Sequence, residues 1–279
     1  MPCYVVAMEK HRPYYDIVFV VLVYKNIDVL RQFFASSRLS YTCRVIVVNS
    51  FYDKETEEAC RLTALQNDAV YIPVLNKGYG VGNNVGSKYA MDHFDFRFLI
   101  LSNSDIIIKD LAYLSQTKDE KAVYAADVRM ENGHQQNPHL PFRLGLYLKL
   151  LDISYKMRSN VLMSMAFALN RLLRELLVAW TRICSLRQVR VFSAHGSFII
   201  MTYQAVMALY PIFHEDMFLY NEELYLAHRC RLLNIPVFFA PRLKVTHLEG
   251  ASSTVDSNAW KVHEDSYRVL KQWMTNHHQ

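Results

Sequence analysis

Short apolar runs alternate with helical patterns along the first 110 residues, and this alternation limits the fold more than any other feature. The apolar runs cover residues 17–24, 44–49, 70–74 and 96–102, and helical patterns between them cover 28–35, 54–65 and 82–94. The first, second and fourth runs are almost continuously apolar, as expected for strands that helices cover on both faces. The sequence therefore predicts a parallel, doubly wound α/β sheet, in which ligands bind beyond the carboxyl ends of the strands.

Length and composition favour a single globular domain. The chain has 279 residues, of which 52% are hydrophobic and 20% charged, so a substantial core is expected. Its five cysteines form no CxxC pair, which predicts neither a disulfide framework nor a zinc site and favours the cytoplasm. The longest apolar runs are far below the roughly 18 residues of a membrane span, and we expect no secretion signal. A net charge of +5 without a Lys/Arg run argues against nucleic acid as a partner.

The second half of the chain has a different pattern. It predicts a long helix at 160–185, a strand at 197–201, a helix at 221–233, strands at 237–240 and 244–247, and a final helix. No internal repeat or low-complexity linker divides it from the first half.

A glycine-rich segment, residues 76–86, follows the third predicted strand. We expect a turn that lets the backbone approach a phosphate before the next helix begins, although glycine clusters also mark plain helix-capping turns. The dinucleotide pattern GxGxxG would need glycine at position 83 or 85, and these positions hold Asn83 and Val85. The spacing therefore excludes the dinucleotide-binding oxidoreductase motif.

This segment resembles the family 2 glycosyltransferases, especially their rhamnosyltransferase-like branch, in which N-x-G-[FY]-[GA]-x-[GA]-x-N-x-G precedes the donor-binding helix. The matching residues are Asn76, Gly78, Tyr79, Gly80, Gly82, Asn84 and Gly86. The match continues through Tyr24 after the first strand and through residues 47–50 on the second, and covers most of 16–110 and 195–253. The resemblance implies a GT-A fold, a mixed and mainly parallel sheet flanked by helices, that binds a nucleotide-diphosphate sugar.

The resemblance also implies donor-binding residues. These are Tyr24, Asn49, Asn76, Gly78, Tyr79, Gly80, Gly82, Asn84, Asn103, Gly196 and Arg229. The family usually has an Asp that contacts the nucleotide base where this chain has Asn49. An amide both donates and accepts hydrogen bonds, so base binding is expected while the base itself stays open, with dTDP-rhamnose and UDP-sugars as candidate donors.

Residues 101–105, Leu-Ser-Asn-Ser-Asp, resemble the family's variant of the DxD metal motif. The resemblance implies that Asp105 binds Mg²⁺ or Mn²⁺, which neutralises the charge that develops on the departing nucleotide diphosphate. Residues 240–247 and then 250–253 resemble A-P-x-x-x-V-x-H followed by G-x-S, which implies that His247 completes the metal site. Taken without this context, a strand-end Asp is more often a turn or helix cap, and a lone His is more often a core or surface residue.

Residues 218–229 resemble the family's F-x-Y-x-E-D-x-D-L-x-x-R segment, which places Glu223 at the position of the catalytic base and Glu222 beside it. Inverting transfer needs a carboxylate that takes the proton of the acceptor hydroxyl. Tyr225 replaces the second acidic residue of the pattern, and Arg229 is a candidate diphosphate or structural partner. The alternative is that the two glutamates form a solvated first helical turn favoured by the helix dipole.

The family offers no motif for residues 134–192, which we treat as a basic amphipathic helical insertion between a donor half (14–110) and an acceptor half (193–279) of one domain. Residues 143–190 hold nine Lys/Arg against two carboxylates. The polar residues of the predicted helix fall on one side and leave a broad apolar face. They are Asn160, Ser164, Asn170, Arg171, Arg174, Glu175, Thr181, Arg182 and Ser185. Such a helix docks on an anionic membrane carrying a lipid-linked acceptor, packs on the sheet, or forms a homodimer interface.

The sequence thus predicts a metal-dependent, inverting glycosyltransferase of cell-surface polysaccharide biosynthesis, cytoplasmic or peripheral on the inner face of the plasma membrane. Its expected acceptor is a carbohydrate or a lipid-linked oligosaccharide. Two alternatives stay open: a catalytically silent sugar-binding scaffold of the same fold, and a nucleotidyltransferase. The latter lacks its usual early glycines and basic residues near Val23.

Overall fold

The computed structural model describes residues 12–248 and 259–277. Its strands are β1 (Tyr14–Val23), β2 (Cys43–Ser50), β3 (Val70–Val74), β4 (Asp95–Asn103), β5 (Ile106–Asp110), β6 (Val123–Met130), β7 (Val189–Val191), β8 (Phe198–Thr202) and β9 (Val237–His247). Its helices are α1 (Ile27–Ser36), α2 (Lys54–Gln66), α3 (Tyr79–His93), α4 (Gly145–Met157), α5 (Asn160–Ile183), α6 (Tyr203–Leu209), α7 (Glu222–Leu232) and α8 (Ala259–His277). The segment 250–253, which resembles G-x-S, lies outside the described residues.

The strands of the first half are parallel neighbours in the order β3-β2-β1-β4. Successive side chains of β1 point to opposite faces of the sheet. Phe19 and Val21 belong to the core that α1 and α2 cover, whereas Val18 and Val20 belong to the core that α3 covers. Because both faces are buried, β1 is apolar without alternation, and the predicted doubly wound arrangement of this half is confirmed.

The second half extends the same sheet with strands of both directions. β8 pairs antiparallel with β4 and β6, β9 runs parallel to β6, and β5 and β7 pair antiparallel with β9. Together the strands of the described ranges make one nine-stranded mixed sheet. Since β5 from the first half pairs with β9 from the second, the two halves share this sheet.

The glycine-rich segment forms a helix rather than the predicted turn, because α3 begins at Tyr79 and contains Gly80, Gly82 and Gly86. A Cβ on Gly82 would lie 2.5 Å from Leu22 Cδ1, and a Cβ on Gly86 would collide with Val20 on β1. The glycines therefore allow α3 to pack directly on the sheet. This tertiary contact offsets their poor helix propensity, which sequence reasoning took as a turn signal.

The second half departs from the sequence prediction in two places. The strands predicted at 237–240 and 244–247 are one strand, β9, whose pairing with β6 shifts register where the partners change from Ala240 to Lys244. Pro241 lies in this shift, and a proline cannot donate to a strand ladder. The elements β5, β6, β7, α4 and α6 were not predicted, whereas α5 and α7 confirm the helices expected at 160–185 and 221–233.

The long helix α5 buries part of its polar side, which was expected to face solvent. Its buried residues include Asn170, Arg174 and Thr181 from the polar side, together with Leu177 and Val178, which join the sheet core. Its apolar stripe is 49% to 82% exposed and consists of Val161, Met165, Leu172, Leu176, Trp180 and Ile183. The helix therefore packs on the sheet through Leu177 and Val178, as one of the three alternatives expected, while its exposed apolar stripe takes no part in that contact. Within the described ranges, no helix has the length and hydropathy needed to cross a membrane.

Candidate functional site

The carboxyl ends of β1, β2 and β4 surround a cavity of about 240 Å³, here called the first cavity. It is lined by Leu22, Tyr24, Ser50, Asn76, Gly78, Tyr79, Asn103, Ser104, Asp105, Phe218 and Leu219. Six residues predicted to bind donor or metal are among them, namely Tyr24, Asn76, Gly78, Tyr79, Asn103 and Asp105. The parallel strands bring these residues together because neighbouring parallel strands end at the same edge of the sheet.

The loop before α3 is held against residue Phe218. Gly78 has a φ of 106°, a conformation that favours glycine, and a Cβ there would collide with the backbone of Phe218. The next amide, Tyr79 N–H, donates to the Phe218 carbonyl at 2.9 Å, while Asn76 Oδ1 accepts from Gly78 N–H at 3.3 Å. Phe218 and Leu219 therefore form a wall of the first cavity. The sequence motif contains both residues but indicates no role for them.

Asn49 lies beneath the first cavity, next to the lining residue Ser50. It is 1% exposed, and its Nδ2 donates to the Tyr71 hydroxyl at 3.0 Å. Its Oδ1 has no hydrogen-bond partner within the part of the chain that the structure describes. One amide atom is therefore committed to the fold, and the other is buried without a described partner.

Three predicted donor-binding residues of α3 face away from the first cavity. Asn84 donates from Nδ2 to the Phe213 carbonyl at 2.9 Å and accepts from Phe213 N–H at 3.1 Å. A Cβ on Gly80 would lie 2.8 Å from Phe213 Cβ, and Gly82 lies against Leu22. The structure thus gives Gly80, Gly82 and Asn84 packing contacts, and none of the three lines the first cavity.

Arg229 is also placed away from the first cavity. Its guanidinium donates to the carbonyls of Leu209 and Pro211, and it lies 5.7 Å from the ring of Tyr225. Tyr225 in turn packs on Trp273 of α8. The structural role that was the alternative for Arg229 is the one observed, and Tyr225 belongs to the contact between α7 and α8.

Asp105 and His247 meet at one corner of the first cavity. Both are 5% exposed, and His247 Nε2 lies 3.1 Å from Asp105 Oδ1. On its other side, His247 Nδ1 lies 2.8 Å from Gln136 Oε1. The pairing of β5 with β9 produces this contact, because it places His247 opposite Ile106, the residue after Asp105.

The corner has the donor atoms that a divalent cation needs. If Nδ1 carries the proton donated to Gln136 Oε1, the lone pair of His247 Nε2 points at the Asp105 carboxylate, and a cation between them removes the repulsion. Across residues 12–248 and 259–277, however, no group of three or more His, Cys, Asp or Glu side chains converges. A metal here would be held by two protein side chains, with ligand oxygens completing its shell.

The two glutamates at the start of α7 follow a strained backbone. Tyr220 and Asn221 have φ values of 74° and 67°, which non-glycine residues adopt at a cost. The bend directs Glu222 inward, where it is 3% exposed, and leaves Glu223 half-buried. The alternative of a solvated first helical turn is therefore excluded.

Glu223 lies among hydrogen-bond donors and histidines. Its Oε1 accepts from Gly196 N–H at 3.2 Å, and a Cβ on Gly196 would lie 2.9 Å from that oxygen. The Gly196 carbonyl accepts from the Tyr79 hydroxyl at 2.6 Å, which connects Glu223 to the lining of the first cavity. Gly196 therefore admits the carboxylate rather than lining the cavity itself.

The two carboxyl groups have opposite pKa shifts. Burial raises the pKa of Glu222 well above its usual value, and the charge of Glu223 raises it further. Burial also raises the pKa of Glu223, but His139, His195 and the amides of Glu223 and Gly196 outweigh burial and bring it below its usual value. The opposite shifts favour a proton on Glu222 and a charge on Glu223, as expected when two carboxyl groups share a buried site.

The histidines near Glu223 had no assigned role in the sequence. Burial lowers the pKa of His195 to about 3, and burial lowers the pKa of His139 as well. His195 N–H is held by Asn137 Oδ1 at 2.7 Å, and its ring lies 6.2 Å from that of His247 and 6.1 Å from that of His139. His195 lies just before β8 and His139 in the loop after β6. No local sequence pattern predicts that these two histidines lie close together.

A second cavity, of about 670 Å³, lies on the far side of His195. It is lined by Met130, Asn132, His134, Gln136, His139, Tyr147, Ser164, Phe167, Ala168, Asn170, Arg171, Arg174 and His195. Gln136 and His195 connect it to the Asp105 corner and to Glu223. The sequence marked several of these residues as the polar side of a helix, without indicating that they line a cavity.

Comparison with known proteins gives structural likeness without sequence likeness. No protein-family model matches the chain, and no curated protein sequence matches it. It is similar in structure to GalNAc-T7 with UDP, GalNAc and Mn²⁺, at a TM-score of 0.58 and 12% identity, over 97% of this chain and 55% of that one. It is also similar to the mannosyltransferase PcManGT from Pyrobaculum calidifontis in complex with GDP-Man and Mn²⁺, at a TM-score of 0.54 and 12% identity, over 93% of this chain and 65% of that one.

The chain spans less than two thirds of the length of either neighbour. At 12% identity the likeness shows the fold rather than the substrates. Both neighbours match the nine-stranded sheet with helices on its faces, which confirms the expected architecture. The chain therefore has the GT-A glycosyltransferase fold.

Proposed function

We propose that this protein is an inverting glycosyltransferase that moves a sugar from a nucleotide-diphosphate donor to a hydroxyl of a carbohydrate acceptor. The observation that carries the proposal is the position of the first cavity, between the Asp105–His247 corner and the environment of Glu223. One end holds candidate ligands for a metal and a diphosphate, and the lining residue Tyr79 connects the cavity through Gly196 to Glu223, the proposed base. We place the protein in the rhamnosyltransferase-like branch of family 2 on the motif residues, with dTDP-rhamnose or a UDP-sugar as donor.

Donor binding is assigned to the lining of the first cavity. We assign the nucleoside to Tyr24 and to Asn49, which precedes the lining residue Ser50, and the diphosphate and sugar to the loop of Asn76 and Gly78. Asp105 and His247 would hold Mg²⁺ or Mn²⁺, with Asn103 beside them. The cation supplies neutralisation of the charge on the departing diphosphate.

Proton transfer is assigned to Glu223. As the ionised member of the pair, it accepts the proton of the acceptor hydroxyl while that oxygen attacks the anomeric carbon opposite the diphosphate. Gly196 N–H orients the carboxylate through Oε1 and leaves its second oxygen for the acceptor. The neutral Glu222 sets the local environment, because a second charge beside Glu223 would raise the pKa of the base.

The acceptor is proposed to be lipid-linked, in cell-surface polysaccharide biosynthesis on the inner face of the plasma membrane. The exposed apolar stripe of α5 supports this assignment, since it belongs to a segment with nine Lys/Arg against two carboxylates. Exposed apolar side chains bordered by cations are what an anionic lipid surface attracts. A homodimer through the same stripe is the competing occupant.

A silent sugar-binding scaffold is the second candidate, favoured by one observation. The described residues supply only two side chains to the metal corner, and Asn49 replaces the usual acidic residue. Such a scaffold would bind nucleotide sugars without hydrolysing or transferring them.

The test is calorimetry of UDP and dTDP with Mn²⁺ on the wild type and on Asp105→Ala, followed by an assay of donor hydrolysis. We expect Asp105→Ala to abolish the metal-dependent part of the affinity, because Asp105 is the one carboxylate that the described residues bring to the corner. The matched control is Asp265→Ala, which removes an exposed carboxylate on α8. Unchanged metal-dependent affinity in Asp105→Ala contradicts the site, whereas binding without any hydrolysis or transfer favours the scaffold.

A further inference from the structure

The second cavity has an unusual charge composition for a partly enclosed space. Its described lining residues include Arg171 and Arg174 from α5 and no Asp or Glu. The remaining polar groups are neutral side chains and histidines, and burial lowers the pKa of both His139 and His195. The cavity therefore carries a positive charge that the residues lining it do not balance.

Arg174 is the unusual member of this lining. It is 9% exposed, it forms no ion pair with any described carboxylate, and its Nε has no hydrogen-bond partner among the described residues. Burial lowers the pKa of its guanidinium, with Glu175 acting in the opposite direction and Arg171 in the same direction. A buried guanidinium without a counter-charge is costly, and such charges normally have a partner.

Like Arg174, the neighbouring residue Asn170 has a buried polar atom without a described hydrogen-bond partner. Asn170, one turn earlier on α5, donates from Nδ2 to the His139 carbonyl at 2.7 Å, while its Oδ1 has no partner in the described structure. Arg171 is exposed at the rim of the cavity. A buried donor, a buried acceptor and a cation at the entrance together suit a ligand that carries both an anionic group and hydroxyls.

The cavity also lies beside the proposed chemistry. Gln136 contacts the metal-corner residue His247, and His195 is followed by Gly196, whose amide holds Glu223. A molecule in the second cavity would thus lie beside residues that contact the metal corner and hold the base. An acceptor must lie close to the base in this way, because its hydroxyl has to be positioned for attack.

We propose that the second cavity is the acceptor site and that Arg174, assisted by Arg171, binds an anionic group of the acceptor, a phosphate or a carboxylate. The guanidinium of Arg174 is planar and forms paired hydrogen bonds with either group. This inference rests on the proposed function, because it names the acceptor class of the same site. The phosphate would belong to a sugar phosphate or a lipid-linked sugar, and the carboxylate to an acidic sugar.

The experiment is an NMR titration of the isotope-labelled full chain, in EDTA, that follows the Nε–H signal of Arg174. The probes are glucose 1-phosphate, glucuronic acid and methyl glucoside. EDTA removes metal-dependent phosphate binding at the Asp105 corner, so the titration reports on the second cavity. We expect the signal to move with an anionic probe and to stay unchanged with methyl glucoside. Movement with glucose 1-phosphate alone identifies phosphate, and movement with glucuronic acid identifies carboxylate.

Variants on α5 and after it complete the test. Arg174→Gln should lower the affinity for the anionic probe by about tenfold or more, as expected for a lost charged hydrogen bond. Arg174→Lys should restore part of this affinity. Arg171→Gln, at the exposed rim, should give a smaller loss and covers the case in which Arg174→Gln does not fold. Arg187→Gln is the charge-matched control, because it removes an exposed arginine that does not line the cavity.

The inference is overturned if no anionic probe moves the Arg174 signal. It is also overturned if Arg174→Gln lowers the affinity for UDP with Mn²⁺ and leaves the affinity for the anionic probe unchanged. Calorimetry of UDP and dTDP with Mn²⁺ on the same variants separates the two proposals. Donor binding without probe binding refutes the acceptor site alone. Probe binding without donor binding refutes the proposed function and leaves an anion site of another purpose.

Discussion

The helices α3 and α5 show two opposite ways in which a helix can join this fold. α3 carries glycines and two buried asparagines, yet it packs against β1 and β2 and forms one side of the core. α5 has the amphipathic pattern expected of a core helix, yet it turns Asn170 and Arg174 inward and leaves an apolar stripe that includes Leu172 and Leu176 exposed. The difference shows that close contact with the sheet decides which residues α3 buries. At α5, the polar side that lines the second cavity is buried instead.

The largest expected effect is on the α3 side of this comparison. Gly86→Val should destabilise the fold by about 3 kcal/mol, because its Cβ would collide with Val20 and Val48, which are both fully buried. The same reasoning predicts a cost for Gly80→Val at Phe213, so that variant would not be a clean test of donor binding. Chemical denaturation measures the loss.

Gly145→Ala is the matched control, because a Cβ there meets no atom within 4 Å. It should change the free energy of unfolding by less than about 0.5 kcal/mol. A stable Gly86→Val protein would mean that α3 is not held as closely to the sheet as the structure describes.

The next effect concerns Glu223, which Gly196 connects to Tyr79 of α3, and which lies near His195 of the second cavity beside α5. Glu223→Gln should lower sugar transfer by about 10²-fold while leaving donor affinity unchanged, because the amide cannot accept a proton. Glu222→Gln should cost only a few-fold, since the amide resembles the neutral carboxyl that burial maintains at this position. Transfer rates and donor affinity are measured on both variants. If Glu222 is the sensitive residue, the assignment of the base is wrong.

The α5 side predicts an effect on location rather than on stability. Leu172→Glu with Leu176→Glu should lower binding to vesicles containing anionic phospholipid by about tenfold or more, because two exposed apolar contacts are lost. The free energy of unfolding should stay within about 0.5 kcal/mol of the wild type. Vesicle co-sedimentation and chemical denaturation provide the two measurements.

Two exposed leucines elsewhere, Leu65 and Leu75, supply the control, and their replacement by Glu should leave vesicle binding unchanged. Sedimentation of the wild type without vesicles tests the competing occupant. A dimer that the α5 variant converts to a monomer would identify the stripe as a homodimer interface and contradict membrane docking.

The smallest expected effect is a change in pH dependence at α8, which packs beside α7. Burial lowers the pKa of His263 to about 4, below the value of about 6.5 in an unfolded chain. Between these values the unfolded chain binds a proton that the folded chain does not, so stability falls as the pH falls through this range. His263→Gln should therefore flatten the loss of stability between pH 7 and pH 5, measured by thermal unfolding. An unchanged slope would show that other groups dominate.

Much of the donor side was predictable from local patterns. Continuous apolar runs and the order of strands and helices predict the parallel sheet, and the strand ends then bring Tyr24, Asn103 and Asp105 to one edge. The glycine motif is visible in the sequence, but the packing contacts of its residues are not. Gly80, Gly82 and Asn84 contact Phe213 and Leu22, and the contact distances that require glycine exist only once α3 lies on the sheet.

The amino-acid sequence by itself determined the fold class, the edge of the sheet at which the first cavity forms, and the candidate residues Asp105, Glu222 and Glu223. These follow from strand order and from residue types close together in the chain, so short-range information suffices. The tertiary structure decided in which direction the pKa of each carboxyl group shifts, that Gln136 contacts His247 at the Asp105 corner, and which side of α5 faces inward. Burial and contacts such as that between Gln136 and His247 join residues over 100 positions apart, and they arise only when β6, β9 and α5 assemble.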